Sequence, residues 1–364
     1  MNSNILRLLD NVIGVILYHI FGLFSKANGA KGKKILAIKL WALGESVLIL
    51  PALKALHASG YKIYVLATKH NMAVFEGHNF IEDVIVLKLN PIKIMKTMKN
   101  IRKSQMNICI DFEPYTKFSA VLSYLSGAKK RIGFNNRPKL YTKAIAPNED
   151  MHAVRNFVNL ANALKKSDCP KELIPLNFSK EDMHEAEKML KENGIASDNL
   201  VGIHAGSAGS SLSRRWPDDR FAELCDKLIK KYNVKIVLVG SKGEKKINER
   251  IIKMANHKDC IFDFSGKLML KELFALMKKL KLFIANDSGP MHIAAAMGVP
   301  TIGLFGPNLP ERYGPFGKRN IGIYKGNGIA AVLPFRGKFG ENHEINKISV
   351  DDVMDAVKKI RCIQ

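Results

Sequence analysis

Short apolar runs alternate along this chain with segments whose apolar residues recur at helical spacing. In the first half the runs are ILAIKL (35–40), KIYVLAT (62–68), DVIVLKL (83–89) and NICIDF (107–112). This alternation is typical of a parallel α/β sheet, whose strands are buried on both faces and joined by helices. Because such sheets bind ligands at the carboxyl ends of their strands, functional residues are expected in the loops that follow the runs.

The same pattern begins again after about residue 176. A helix is predicted near 180–193, and strands at LVGIHAG (200–206), KIVLVGS (235–241), LFIAND (282–287) and TIGLFG (301–306). The chain has 364 residues, enough for two domains of ordinary size, so two Rossmann-like units in tandem are expected.

Ser349 and Asp352 show the capping-box pattern at the start of a final helix. Four parts are therefore predicted: an N-terminal amphipathic helix with a basic linker (1–32), a first Rossmann-like domain (33–175), a second (176–345) and a C-terminal helix (346–364).

The charge is the unusual part of the composition. The 57 Lys and Arg residues against 33 Asp and Glu residues give a net charge of +24. This excess indicates an anionic partner, which could be nucleic acid, a phosphorylated small molecule or a membrane surface. The five cysteines are scattered and form no CxxC pair, so neither a disulfide framework nor a zinc site is predicted, and a reducing cytoplasm is the default location.

The N-terminal segment 5–24 is apolar at helical spacing, with Asn11, Gly14, Tyr18 and Gly22 on the opposite side. Arg7 and Asp10 interrupt it, leaving too short an uncharged run to cross a bilayer. Two interpretations stay open: a helix lying in an anionic membrane surface beside the basic cluster Lys26, Lys31, Lys33 and Lys34, or a helix packed on the protein's own core.

A second basic stripe is predicted on a helix at 91–103. Its cations could form an ordinary solvated face or rest on lipid phosphates. They are Lys93, Lys96, Lys99, Arg102 and Lys103.

Two segments resemble the bacterial glycosyltransferase family 9, the ADP-heptose:lipopolysaccharide heptosyltransferases. They are GIHAGSAGSSLSRRWPDDRFAEL (202–224) and NDSGPMHIAAAMGVPTIGLFGP (286–307). The stretch ILAIKLWALGESVLILPALKAL (35–56) is similar to the family's first strand, loop and helix. Shorter matches are KKRIGF (129–134), FSGKLMLKEL (264–273) and ISVDDV (348–353), so the resemblance covers nearly everything after the N-terminal helix.

The resemblance implies a GT-B fold, an α/β architecture of two Rossmann-like domains with parallel sheets facing across a cleft. The first domain would bind the acceptor and the second the nucleotide sugar. The implied activity is inverting transfer of a heptose from ADP-heptose to a lipopolysaccharide core or a related anionic surface glycolipid. The implied location is the cytoplasm, peripheral at the inner face of the cytoplasmic membrane.

Glu45 is the candidate general base, because glycosyl transfer needs a group that takes the proton of the acceptor hydroxyl. It follows the first predicted strand and matches the family position of the catalytic base. The family usually has Asp there, so the Gly44-Glu45 pair extends the reach of the carboxylate by one methylene. Alternatively, Glu45 simply favours the helix start near its positive end.

Acceptor contacts are expected from first-domain loops. Gly44 and the basic residues Lys129, Lys130 and Arg131, with Arg137 and Lys139 nearby, suit a phosphorylated sugar, although solvated surface cations have the same pattern.

Donor contacts are expected on the second domain. Gly206 and Ser207 can bring backbone N–H groups close to a diphosphate. Arg214, at the family's phosphate-contacting Lys position, and Arg215 supply cations, although both could be surface arginines before a helix. The resemblance also implies donor contacts at Asp287, Ser288, Gly289 and His292, and, less specifically, at Gly240, Glu244, Ser265, Gly266, Lys267 and Leu268.

No metal cofactor is expected, since the sequence has no DxD motif and no zinc-like ligand spacing. Three alternatives stay open: another nucleotide-sugar donor, a binding protein with little or no turnover, or, weakest, a nucleic-acid-binding protein without a recognised motif. A dehydrogenase is disfavoured because no G-x-G-x-x-G follows the first strand.

Overall fold

The computed structural model describes residues 10, 14–22, 32–195, 199–207, 212–326 and 344–363. The chain divides into two compact units, Met1–Pro170 and Lys171–Gln364. Each unit contains one six-stranded sheet in which every described pairing is parallel. The predicted α/β class, with a Rossmann-like sheet in each half, is confirmed.

The sheet of the first unit has the order β3-β2-β1-β4-β5-β6. The four predicted runs form its first four strands. The residues of β1, β2 and β4 are mostly buried between the two helical layers, and the apolar residues of the edge strand β3 are half-buried. The last two strands were not predicted from the pattern. The bounds are β1 Lys34–Ile38, β2 Lys62–Ala67, β3 Asp83–Val86, β4 Ile108–Asp111, β5 Lys130–Phe134 and β6 Lys143–Ile145.

Helices cover both faces of this sheet. The chain goes from β1 to β2 in one direction along the sheet and from β3 to β4 in the other, so right-handed crossovers place the connecting helices α3 and α4 on opposite faces. α5 packs on α4, and α6 packs on α3. The bounds are α1 Val15–Gly22, α2 Leu43–Leu48, α3 Leu50–Ala58, α4 Pro91–Lys103, α5 Lys117–Leu125 and α6 Ala153–Ala161.

The helix α1 packs on α5 through the side that carries Tyr18, which the sequence pattern had placed opposite the apolar side. Tyr18 is buried, its hydroxyl accepts a hydrogen bond from the Lys139 N–H at 3.0 Å, and Phe21 stacks on Tyr124 with ring centroids 5.0 Å apart. Apart from Asp10 and Gly14, the rest of the predicted helix 5–24 lies outside the described residues. Among the helices that the structure describes, none is long and apolar enough to span a membrane.

The sheet of the second unit has the order β12-β11-β10-β7-β8-β9. The predicted strands at 200–206, 235–241, 282–287 and 301–306 form β7, β8, β10 and β11 at its centre. The bounds are β7 Leu200–His204, β8 Lys235–Leu238, β9 Ile261–Asp263, β10 Leu282–Asn286, β11 Thr301–Phe305 and β12 Ile321–Tyr324.

Trp216 is fully buried in the core of the second unit. Its indole N–H donates to the Ile348 carbonyl at 2.9 Å, which ties the start of α8 to the segment before the last helix α13. Ser349 and Asp352 cap that helix reciprocally, as predicted. The bounds are α7 Lys180–Glu192, α8 Asp218–Tyr232, α9 Lys245–Met254, α10 Leu270–Met277, α11 Gly289–Ala296, α12 Pro310–Tyr313 and α13 Val350–Ile360.

Candidate active site

Glu45 lies just beyond the carboxyl end of β1, in the first turn of α2. Ala42, directly before this helix, has a φ of 57°, in the left-handed region that residues with a side chain rarely adopt. Its carbonyl accepts a hydrogen bond from the Ser46 N–H at 3.0 Å, which closes the turn around Glu45. Such a conformation persists only where surrounding contacts hold it, and it is common at functional loops.

The Glu45 carboxylate is held by a buried lysine. Lys39 Nζ lies 2.5 Å from Glu45 Oε2 and 3.2 Å from Glu113 Oε2, and the lysine has no exposed side-chain surface. Glu113 follows β4, the strand beside β1, and its Oε1 accepts hydrogen bonds from the N–H groups of Leu40 at 2.7 Å and Trp41 at 2.9 Å. We call Lys39, Glu45 and Glu113 the carboxylate cluster.

The electrostatics of the carboxylate cluster follow from one ammonium placed between two carboxylates. Burial would lower the pKa of Lys39, but the charges of Glu113 and Glu45 outweigh it and raise the pKa, so Lys39 stays protonated. Burial raises the pKa of Glu113, and Lys39 opposes that rise. Of the three side chains, Glu45 has the largest exposed fraction, 13%, and is therefore the one that a substrate can reach.

A second layer of buried groups supports Glu113. Asp111 Oδ1 accepts a hydrogen bond from the Glu113 N–H at 3.0 Å, and Asp111 Oδ2 accepts one from the Tyr141 hydroxyl at 2.6 Å. Arg137 Nη1 lies 3.4 Å from the same Oδ2. Burial raises the pKa of Tyr141 well above its ordinary value, so its hydroxyl remains a donor.

Sequence reasoning missed Lys39 and Glu113. Both lie at the ends of strands that were predicted, so the expectation that functional residues follow strands would have pointed to them.

The structure does not bring the basic residues predicted for the acceptor to Glu45. Lys129 and Lys130 lie at the amino end of β5, on the opposite edge of the sheet. Arg131 is buried, and its guanidinium donates to the carbonyls of Leu140 at 2.8 Å and Ala128 at 2.9 Å. These three side chains therefore lie away from the carboxylate cluster, and the buried guanidinium is engaged by the chain itself.

The other predicted acceptor residues are placed differently. Gly44 is buried beside Glu45 at the start of α2. Arg137 is buried and donates to Ser119 Oγ at 2.9 Å, and the Lys139 Nζ lies 3.1 Å from His19 Nδ1 of α1.

In the second unit, the predicted donor residues Gly206 and Glu244 meet at the carboxyl edge of the sheet. A Cβ added at Gly206 would collide with the Glu244 carboxylate, so this contact requires glycine. Glu244 Oε2 accepts hydrogen bonds from the N–H and the hydroxyl of Ser241, both at 2.7 Å. Its Oε1 lies 3.5 Å from His204 Nε2.

His204 was not predicted, and it links two predicted donor residues. It is buried at the end of β7, and its Nδ1 lies 2.9 Å from Ser288 Oγ. Burial would raise the pKa of Glu244, but the contacts with His204 and Ser241 outweigh it and lower the pKa from 4.5 to about 2. The position of His204 directly after an apolar run is the signal that could have identified it.

The arginines of the GSAGSSLSRRW segment contact residues at the ends of the central strands. Arg214 Nη1 lies 3.4 Å from Asp287 Oδ2, which also accepts a hydrogen bond from Asn308 Nδ2 at 2.5 Å. Arg215 donates to the Ser207 hydroxyl at 3.1 Å and to its carbonyl at 3.2 Å. The loop 208–211 lies outside the described residues.

The N-terminus of α11 lies beside these groups. Ser288 is its N-cap residue, Gly289 is its first residue, and His292 is buried one turn further on. The Asn286 side chain accepts a hydrogen bond from the Trp216 N–H at 3.1 Å and donates to the Ala205 carbonyl at 2.8 Å. The ends of β7 and β10 are thereby fixed around the helix start, where N–H groups favour an anion.

The remaining predicted donor residues fall into two groups, those near Glu244 and Lys242 and those without such a contact. Gly240 lies beside both Glu244 and Ser265, and the Gly266 N–H donates to the Gly240 carbonyl at 2.8 Å. Gly266 has a φ of 67°, and a Cβ there would press on the Lys242 backbone at 2.8 Å. Lys267 is exposed with its Nζ 5.8 Å from the Phe264 ring centroid, and Leu268 is half-buried.

Within the described parts of the chain, no group of three or more His, Cys, Asp or Glu side chains could hold a metal ion.

Residues 94–331 match the family described as glycosyltransferase family 9 (heptosyltransferase). The chain is 26% identical over 297 residues to lipopolysaccharide heptosyltransferase 1 of Campylobacter coli, covering 75% of this chain and 84% of that protein. The match spans well over half of the chain, so this protein belongs to glycosyltransferase family 9, and the resemblance drawn from its motifs is confirmed.

Solved structures show the same fold. A family 9 glycosyl transferase from Veillonella parvula matches with a TM-score of 0.81 and 23% identity, covering 92% of this chain and 99% of that one. ADP-heptose lipopolysaccharide heptosyltransferase II of E. coli matches with a TM-score of 0.72 and 20% identity, covering 90% and 98%. The chain therefore has the GT-B fold.

The carboxylate cluster leads to a stability prediction. Lys39→Met leaves the buried Glu113 carboxylate and the partly exposed Glu45 carboxylate without their ammonium, and we expect the free energy of unfolding to fall by about 3–5 kcal/mol in urea titrations. Adding Glu113→Gln to Lys39→Met should recover part of that loss, because one uncompensated charge is removed. Lys54→Met, at an exposed position of α3, is the control and should unfold like the wild type. Wild-type stability in Lys39→Met would contradict the ion pairing.

The lowered pKa of Glu244 predicts how its contribution to stability depends on pH. Its ionised form stabilises the fold fully above about pH 4.5, and this contribution is lost as the pH falls towards 2. The stability difference between the wild type and Glu244→Gln should therefore shrink over that interval in chemical unfolding. Glu249→Gln, on an exposed part of α9, is the control. A difference independent of pH would contradict the assignment.

Proposed function

We propose that this protein transfers a heptose from ADP-heptose to a lipopolysaccharide core or a related surface-glycan acceptor. Family membership supports glycosyl transfer, and the relatives named as lipopolysaccharide heptosyltransferases support the choice of donor and acceptor. The observation that carries the mechanism is the carboxylate cluster, which presents Glu45 at the end of β1, where the family has its catalytic base.

In the proposed reaction, Glu45 accepts the proton of the acceptor hydroxyl. The freed oxygen attacks the anomeric carbon on the face opposite to the departing ADP, so the configuration inverts and the bond to the diphosphate oxygen breaks. Lys39 is a positioning residue, since it holds Glu45 Oε2 at 2.5 Å while itself remaining out of reach of solvent. This contact offsets the extra methylene of Glu45 by fixing where its carboxylate lies.

The donor residues are assigned roles by their chemistry. Gly206, Ser207 and the N–H groups at Gly289 would bind the diphosphate. Arg214, held by Asp287, and Arg215 would neutralise the charge that develops on the leaving ADP. Glu244 is ionised and would accept hydrogen bonds from the ribose hydroxyls, with Gly240 and Ser265–Leu268 near the base and His292 near the nucleotide.

These cations and helix N–H groups supply the stabilisation that a divalent ion provides in other transferases, so we propose that the reaction needs no metal. We also propose that the protein works in the cytoplasm, at the inner face of the membrane that carries its glycolipid acceptor. A second candidate, a binding protein with little turnover, is suggested by Glu45 standing where the family usually has Asp.

Glu45→Gln tests the proposed base. The substitution keeps the size of the side chain but cannot accept a proton, so we expect kcat to fall by about 1,000-fold in an assay of ADP release run in EDTA. Binding of ADP-heptose, measured by calorimetry, should stay within about twofold, because the donor residues are unchanged.

Glu45→Asp should retain more activity than Glu45→Gln, and Glu82→Gln, an exposed glutamate of the same unit, should match the wild type. An unchanged kcat in Glu45→Gln would show that Glu45 is not the general base. Donor binding without any product from the wild type would favour the binding protein.

A further inference from the structure

One face of the first unit carries large apolar side chains that the protein leaves exposed. On α1 these are Ile16, 54% exposed, and Ile20, 47% exposed. On α4 they are Ile92, 79% exposed, and Met95, 60% exposed. Large apolar residues exposed in a group, unlike single ones, mark an interaction surface.

The helices α4 and α5 lie on the same side of the sheet, because their crossovers run in the same direction along it, and both α1 and α4 pack on α5. Tyr18 and Phe21 attach α1 to α5, and α4 contacts α5 from the side nearer the centre of the sheet. Since the Tyr18 side of α1 is the side that packs inward, Ile16 and Ile20 point away from the unit. We call the exposed side of α1 and α4 the α1/α4 face.

The α1/α4 face is also basic. The helix α4 has no acidic residue, and it buries Ile94, Met98 and Ile101 against the unit. All five of its cations are exposed, and Ile92 and Met95 lie among them. The cations are Lys93, Lys96, Lys99, Arg102 and Lys103.

We propose that the α1/α4 face docks on the surface of an anionic lipid bilayer. Exposed isoleucine and methionine side chains can enter the boundary between headgroups and acyl chains while neighbouring lysines contact lipid phosphates. The complementarity of charge favours this occupant, since all charged residues of α4 are cations and the whole chain has a net charge of +24. In a symmetric dimer formed through this face, the cations of α4 in one copy would face the same cations in the other and repel them.

This docking also sets where the membrane lies relative to Glu45, a consequence that rests on the proposed function. The helix α4 begins just after the carboxyl end of β3, so Ile92 lies at the same edge of the sheet as Glu45. β3 is two strands from β1, about 10 Å along the sheet. An acceptor sugar anchored in the docked bilayer would therefore be presented at the edge that carries the base.

Vesicle flotation of the full-length protein tests the proposal. The wild type should bind vesicles of phosphatidylethanolamine and phosphatidylglycerol and bind much more weakly to phosphatidylcholine alone. Ile92→Gln with Met95→Gln should lower binding to the anionic vesicles by at least about tenfold. Lys96→Gln with Lys99→Gln should lower it by roughly fivefold for each lysine. All four positions are exposed, so urea unfolding should be unchanged.

Matched controls come from the second unit. Met254→Gln removes an exposed methionine, and Lys230→Gln with Lys231→Gln removes two exposed lysines, and both should bind like the wild type. Binding that survives the α4 substitutions, or that is equal on both kinds of vesicle, would overturn the proposal. So would a dimer in sedimentation velocity that the Ile92 and Met95 substitutions dissociate, since the occupant would then be a second copy.

The flotation assay contains no sugar, so its outcome is separate from that of the proposed function. If the protein binds vesicles as predicted but transfers no heptose to a delipidated acceptor, the proposed function fails and the docking surface stands. If it transfers heptose but ignores anionic vesicles, the docking surface fails alone.

Discussion

The candidate site of the first unit depends on the ion pairs that the buried Lys39 ammonium makes with Glu45 and Glu113. The positive charge of a lysine without solvent contact must be balanced by negative charge, and here two carboxylates that follow neighbouring strands balance it. Glu113 is locked by the N–H groups of Leu40 and Trp41, which leaves Glu45 as the partner that can face a substrate. The same contacts that stabilise the fold thus fix the proposed base.

In the second unit, a carboxylate is again held at a strand end, but here it is held against the backbone at a glycine and not by a buried lysine. Gly206 lets the Glu244 carboxylate approach the end of β7, and His204 and Ser241 keep that carboxylate ionised. Arg214 is held by Asp287 at the start of α11. In the proposed function, Glu244 accepts hydrogen bonds from the ribose hydroxyls, and Arg214 binds a phosphate of the same nucleotide sugar.

The family and the strands β1–β4, β7, β8, β10 and β11 could be predicted from the sequence because they leave local signals: motifs such as NDSGPMH, and uninterrupted apolar runs. Lys39 and Glu113 each follow a predicted strand, but the sequence does not show that they meet, since their contact depends on the pairing of β1 with β4. Periodicity also misplaced the packed side of α1, because Tyr18 combines an apolar ring with a hydroxyl that finds the Lys139 N–H. The sequence also shows the charge of the basic residues 129–131 but not their environment. Only the fold shows that Arg131 is buried and donates to backbone carbonyls.

We propose that this chain adds a heptose to a surface glycan, with the base on one Rossmann-like unit and the donor-binding groups on the other. The decisive measurement is mass spectrometry of the lipopolysaccharide core, or of the equivalent surface glycan, from cells lacking the protein. We expect that glycan to lack a heptose and everything attached beyond it, and wild-type protein to restore both. A glycan with its full heptose content in those cells would show that the protein does not add this heptose.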